Sequence, residues 1–159
     1  MTLPGQVIQM IDAAEMREIV QNLLNTQRLA VLSTQMSGRP YSNLIAFAAT
    51  EDMKDIVFAT TRATRKYANL TAEARVSLLI DNRSNQESDF GEASAVTVLG
   101  TAEEVLGPDR ERYLQIYLKK HPSLEEFVTA PTCALIMVKV EKYIVVTQFQ
   151  EVREIYPGP

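Results

Sequence analysis

The chain has 159 residues, of which 46% are apolar and 23% charged, and its net charge is −4. That length and balance suit one globular domain with an adequate core; they argue against the basic surface of a nucleic-acid binder, and no apolar run approaches the length of a membrane span. Its one cysteine, Cys133, has no internal disulfide partner, and with one histidine, His121, it makes no zinc site of the usual kind. Residues 1–5 lack the basic region and apolar core of a signal peptide, so the expected location is the cytoplasm.

Residues 12–28 read as a helix: Asp12 is an N-cap with Glu15 three residues on, and Met16, Ile19, Val20, Leu23 and Leu24 line one face. Residues 28–34 read as a strand, Ser37-Gly38-Arg39-Pro40 as a turn and residues 41–49 as a second strand. A polar turn at residues 51–54 leads to a third strand over residues 55–60. Short connections make these three strands an antiparallel meander.

At the end of the meander, Thr60-Thr61-Arg62-Ala63-Thr64-Arg65-Lys66 packs three cations and three threonine hydroxyls into seven residues, and it opens a short helix reaching about residue 72. A solvated helix face is the plain reading of such a cluster. Cations at a helix start oppose the dipole, however, which argues for a compensating anion, and free N–H groups there suit a phosphate.

Residues 75–81 read as a fourth strand, and residues 82–92 as a polar loop without secondary structure. Residues 94–106 form a long strand in which Gly100 marks a bulge or bend. Pro108 starts a helix running to about residue 120, and Pro122 ends it after His121. His121 has no acidic or nucleophilic neighbour in sequence and reads as a helix-end cap. Ser123 and Glu126 read as a second capping box for a short helix reaching Val128. Residues 132–140 and 143–149 read as the last strands, joined by a tight turn at Glu141-Lys142, and residues 156–159 as a loose tail. The expected fold is mainly β with α: a closed, antiparallel, Greek-key-like barrel of about six or seven strands with flanking helices, residues 1–159 forming one domain with its core over about 12–150 and loose tails at both ends.

Three segments, in this order, resemble the FMN-binding split-barrel proteins related to pyridoxamine 5′-phosphate oxidase. They are Ile56-Val57-Phe58-Ala59-Thr60-Thr61 with Thr64-Arg65-Lys66 and Asn69-Leu70; Gly38-Arg39-Pro40-Tyr41-Ser42-Asn43-Leu44-Ile45; and Val96-Thr97-Val98-Leu99-Gly100-Thr101-Ala102-Glu103. The resemblance implies that Arg65 and Lys66 pair with the phosphate of FMN, helped by Thr60, Thr61 and Thr64. It implies that Asn43, Leu44, Ile45 and Ala46 present backbone groups to the isoalloxazine. It also implies a homodimer with the cofactor at its interface, where Asn82, Arg83 and Asn85 are expected, on polarity, to complete the pocket of the partner chain.

Departures argue against the oxidase itself. The family's lysine on the ring-contacting strand matches Ala48, its glutamine on the long strand matches Ala95, and the chain has no tryptophan. No Ser/His/Asp, Cys/His or paired-carboxylate constellation is present, as suits hydride transfer, which depends on positioning more than on acid–base groups. The expectation is an FMN-dependent oxidoreductase acting with an unidentified small molecule. The alternatives are a non-catalytic flavin carrier or redox sensor, or the same barrel holding haem, with His121 as the only histidine to ligate it, or a deazaflavin.

Overall fold

The structure, a computed structural model, describes residues 12–148 and 151–158. The readings made on residues 1–5, Phe149 and Pro159 fall outside the described residues. Helix α1 (Ala13–Thr26) starts at the expected box: Asp12 accepts from Glu15 N at 2.8 Å, and the Glu15 carboxylate accepts from Asp12 N at 3.1 Å. Its stripe of Met16, Val20, Leu23 and Leu24 is buried.

Strands β1 (Leu29–Met36) and β2 (Arg39–Ala49) form a hairpin over Ser37 and Gly38, both at positive φ, a turn whose twist matches the flanking strands. Strand β3 (Asp55–Thr61) follows, then α2 (Arg65–Ala72), β4 (Arg75–Asp81), α3 (Asp89–Glu92), β5 (Ser94–Glu104), α4 (Arg110–Lys120), α5 (Glu125–Thr129), β6 (Cys133–Thr147) and β7 (Glu151–Ile155). The sheet order is β3-β2-β1-β4-β5-β6-β7, and β3 also pairs with β6, closing a six-stranded antiparallel barrel with β7 as an extra strand on β6.

Alternation along the strands sorts the side chains. Leu32, Phe47, Ile56, Phe58, Leu78, Ile80, Val96, Val98 and Ile136 fill the interior, which the apolar face of α1 also joins. A second cluster lies on the far side of β3 and β6. There Val57, Ala59 and Leu135 meet Tyr113, Leu114 and Tyr117 of α4 and Val128 of α5. Because β3 is covered on both sides, its side chains from Ile56 to Thr60 are all buried.

Four expectations are corrected. Glu141-Lys142 is not a turn: β6 runs through it, and the pairing with β5 slips there, from Leu99↔Lys142 to Gly100↔Val140, so Glu141 is the extra residue of a bulge. Gly100 faces that bulge so closely that a Cβ on it would lie 2.5 Å from Lys139 O and 2.6 Å from Val138 Cγ1. The loop 82–92 contains α3, because the Asp89 carboxylate gathers the backbone N–H groups of Ser84, Asn85 and Gln86. The helix after His121 has no side-chain cap; a 3₁₀ turn at Pro122–Leu124 leads straight into α5. The segment beyond residue 150 holds a strand, β7, and the carbonyl of Tyr156 accepts from Arg17 Nη2 at 3.3 Å.

The barrel is closed unevenly. β2 pairs with β3 only through Phe47, Ala48 and Ala49, while its remaining length, from Arg39 to Ala46, has β1 on one edge and, among the described residues, no strand on the other. This open seam places the candidate site.

Candidate functional site

The turn that leads from β3 into α2 is held by hydroxyls. Thr60 is buried, and its Oγ1 lies 2.9 Å from Thr64 Oγ1. Thr64 donates to Thr61 O at 3.0 Å and, as the N-cap of α2, accepts from Tyr67 N at 3.3 Å. Further along the helix, Asn69 is buried and donates to Thr34 Oγ1 at 3.0 Å, fixing α2 to β1. Thr60 and Thr64 are thus turned towards building the corner, which then presents its neighbours.

The three cations of the cluster separate. Arg62 is neutralised: its Nη2 and Nε reach Glu104 Oε1 at 2.6 and 2.9 Å, and Nη1 donates to Pro131 O. Arg65 is exposed, with its guanidinium carbon 5.3 Å from the centroid of the Tyr41 ring. Lys66 is half-buried, and among the described residues no carboxylate lies within salt-bridge distance of it. Burial holds its ammonium below the usual lysine pKa. The first turn of α2 contains no acidic residue, so nothing in that turn offsets the two remaining cations or the helix dipole.

Tyr41 carries this group to the open seam of β2. Phe47 N donates to Arg28 O on the β1 side. By the alternation of an antiparallel ladder, the backbone groups of Asn43 and Ile45 also turn to β1, while those of Leu44 and Ala46 turn to the seam. The Ile45 side chain is in the core, and that of Leu44 is exposed. Asn43 Nδ2 donates to Leu44 O at 3.3 Å, and its Oδ1 is buried with no hydrogen-bond partner. Arg65 over Tyr41 links the start of α2 to β2, and Leu44, further along β2, lines a cleft with Leu29, Val31, Leu79 and Arg83.

Asn82, Arg83 and Asn85 lie away from the Tyr41–Arg65 end, although Arg83 lines one cleft with Leu44, Leu29 and Leu79 in the same protomer. Tyr41 is level with Thr34, whereas Asp81 lies towards the Leu29 end of β1, roughly 17 Å further along the sheet. There Asn82 Oδ1 accepts from Ser94 N, Arg83 pairs with Asp81 at 3.0 Å, and Asn85 sits at φ +62° donating to Asp89. Ala48 is buried beneath α4, and Ala95 pairs with Asp81.

His121 caps the end of α4 through its backbone, and its side chain is a core group. It is buried, packs tilted against the Tyr117 ring, and places Nε2 2.7 Å from Phe47 O, so Nε2 carries the proton and donates. Among the described residues no cluster of His, Cys, Asp and Glu could hold a metal ion, and no helix is long and apolar enough to cross a membrane. Reasoning from sequence missed Tyr41, Asn69 and Glu104. Tyr41 and Asn69 stand inside the segments that carry the resemblance, whereas Glu104 meets Arg62 only through the fold.

The outward side of β2, β1, β4 and β5 carries a row of apolar side chains in register. Leu44 faces Val31, Val31 faces Leu79, and Leu79 faces Thr97, which faces Ile144 of β6. Leu29, Leu44 and Leu79 on this side are 54%, 64% and 37% exposed. The next row, Ser42, Ser33 and Ser77, is small and flat.

An antiparallel barrel with one open seam, and an uncompensated cationic helix start beside it, defines the class as a split barrel. The chain belongs to the pyridoxamine 5′-phosphate oxidase family, whose model matches residues 16–147. No curated protein matches it in sequence. Among solved structures it is similar to a haem-binding protein from Mycobacterium smegmatis (TM-score 0.75, 14% identity, covering 86% of this chain and 57% of that one). It is also similar to an FAD-binding protein from Mesorhizobium loti (0.63, 20%, 84% and 93%). A third is the haem storage protein HutZ from Vibrio cholerae (0.64, 15%, 82% and 92%). At these identities the likeness is one of fold.

Proposed function

We propose that this chain binds FMN as a homodimer and passes electrons between the flavin and a small-molecule partner in the cytoplasm. The observation that carries the reading is Lys66: a half-buried ammonium at a helix start that has, among the described residues, no carboxylate within salt-bridge distance, near a strand edge that has no strand partner among them. Burying a charge without a counter-ion is unfavourable, and a phosphate supplies the counter-ion. Arg65 and Lys66 would hold that phosphate, with Thr60, Thr61 and Thr64 shaping the turn beneath it. Along residues 43–46 the backbone groups of Leu44 and Ala46 would offer donors and acceptors to a flat heterocycle, those of Asn43 and Ile45 being turned to β1, and Asn43 Oδ1 offers a buried acceptor with no donor among the described residues. A bound flavin supplies the acceptance and return of a hydride; the protein supplies orientation and hydrogen bonds to the ring.

The exposed apolar row from Leu44 to Leu79, with the flat serine row beside it, is the surface on which a second copy would sit. Asn82, Arg83 and Asn85 lie far from Arg65 on their own protomer, so at the phosphate end their part rests on that second copy, while Arg83 shares a cleft with Leu44 within one protomer.

Haem is the second reading, favoured by the names of two structural neighbours. In this chain His121 is buried and its Nε2 is committed to Phe47 O, so ligation through that nitrogen requires the ring to leave the core. A deazaflavin would meet the same phosphate end and seam.

The test is to purify the chain, record its visible spectrum with added FMN and with added haemin, and determine its mass in solution. Flavin bands retained on a dimer support the proposal; absence of FMN binding at about 10 μM removes it. Reduction of the bound flavin and its reoxidation by a small-molecule acceptor over many turnovers separates the enzyme from a carrier or sensor.

A further inference from the structure

A second region of the molecule, away from the phosphate turn, is built like a binding site. A cavity of about 650 Å³ opens between the end of α1, the β2–β3 turn and the solvent side of α4. Its size is that of a small-molecule site. Its apolar floor is Leu24, Ala48, Ala49 and Ile116. One wall is a row of cations from α4: Arg112, Lys119 and Lys120.

Lys119 and Lys120 stand in the last turn of α4, where the helix dipole favours positive charge; Arg112 stands in the first turn, where it does not. Among the described residues, none of the three forms an ion pair. Lys120 is the most enclosed. Its Nζ donates to Leu24 O at 2.8 Å and lies 3.8 Å from the centroid of the Phe47 ring. Burial and the nearby Arg28 push its ammonium down to about 8. The facing wall carries two carboxylates, Glu51 and Asp52; Asp52 is held in its charged form by the Thr50 hydroxyl at 2.6 Å, by Lys54 N at 3.0 Å and by the attraction of Lys54 and Arg112, so the three cations exceed the anions of the lining by one.

A concave apolar floor beside a wall in which cations outnumber carboxylates matches one kind of ligand. We propose that the α1–α4 cavity binds a small organic carboxylate, its apolar body on Leu24 and Ile116 and its anionic end at Arg112, Lys119 and Lys120. The site lies at the Val57 end of β3, at least about 13 Å along that strand from the turn leading to Lys66. It is separate from the phosphate turn, while its floor residue Ala48 stands two residues, about 7 Å, along β2 from Ala46 at the seam, so the cavity adjoins the proposed ring end of the flavin site.

The test titrates the full chain, whatever its flavin content, with octanoate and separately with inorganic phosphate, following backbone amide shifts by heteronuclear NMR. Octanoate is expected to shift amides of residues 48–52 and 112–120 with saturation below about 10 mM, and phosphate to bind at least about tenfold more weakly. The exposed-residue variant Arg112→Gln/Lys119→Gln, shown to be folded by circular dichroism, is expected to weaken octanoate by about tenfold or more. Absence of saturable shifts, shifts centred elsewhere, equal affinity for phosphate, or undiminished binding in the double variant each overturns the proposal.

Discussion

Lys66→Gln separates a binding role from a folding role, because the two predict effects of opposite sign. Gln keeps most of the side chain's length and removes the charge. In the free protein the ammonium is half-buried and has no carboxylate partner, so its removal relieves a desolvation penalty: the melting temperature of the apoprotein is expected to hold or rise. With FMN bound, the same change removes a charge-assisted hydrogen bond, which contributes about 1.5–3 kcal/mol. Solvent screening at a half-exposed position favours the lower part of that range, or about 10- to 30-fold in Kd. Riboflavin lacks the phosphate and serves as the internal control. Fluorescence titration of apoprotein is expected to show FMN weakened by that factor and riboflavin unchanged. An FMN affinity within about twofold of the parent, or equal losses for both ligands, refutes the assignment of Lys66 to the phosphate.

Further outcomes follow from geometry described above. Gly100→Ala forces a methyl group to within 2.5 Å of Lys139 O, a backbone atom that cannot step aside. Urea denaturation is expected to show a loss of about 2–4 kcal/mol, and a loss under about 1 contradicts the bulge geometry. Leu79→Glu on the outward row is expected to yield a folded monomer by sedimentation, whereas a persistent dimer moves the interface elsewhere. His121 is held below its ordinary pKa of 6.5, first by burial. Above that value it is neutral in both states; below it the unfolded chain takes up a proton that the folded chain refuses. Its contribution to stability is therefore present above pH 6.5 and lost as pH falls towards the folded value. His121→Gln is expected to flatten that part of the stability–pH curve, and an unchanged slope rules His121 out as its source.

Much of the fold is readable where local rules and global packing agree. The Asp12–Glu15 box and the stripe from Met16 to Leu24 define α1 without help from the rest of the chain. The Ser37-Gly38 hairpin and the Thr64 cap are equally local. The parts that were not legible depend on distant partners. Glu141-Lys142 looks like a turn because two polar residues interrupt an apolar run; only the slipped register against Leu99 and Gly100 turns them into a bulge in one long strand. β7 is a polar stretch, Glu151-Val152-Arg153-Glu154-Ile155, whose strand character comes from lying against β6. At the candidate site the cluster of cations was visible, but the distinction between Arg62, committed to Glu104, and Lys66, left without a counter-charge, was not, because Glu104 is far away in sequence. Asn69 hides for the same reason: its partner, Thr34, is on another strand.

Strand β6 serves two neighbours on one edge. Its first half, from Cys133 to Lys139, is zipped to β3, and its second half, from Tyr143 to Thr147, carries β7. The ring cannot shut until residues in the 130s reach those in the 50s, so ring formation awaits contacts between remote parts of the chain. Before that moment the meander of β1, β2 and β3 has a bare outer edge at β3, rich in Ile, Val and Phe, which is the kind of edge that pairs with strangers. Slow folding and a propensity to aggregate during refolding at high concentration are the expected consequences of giving one strand the job of latch.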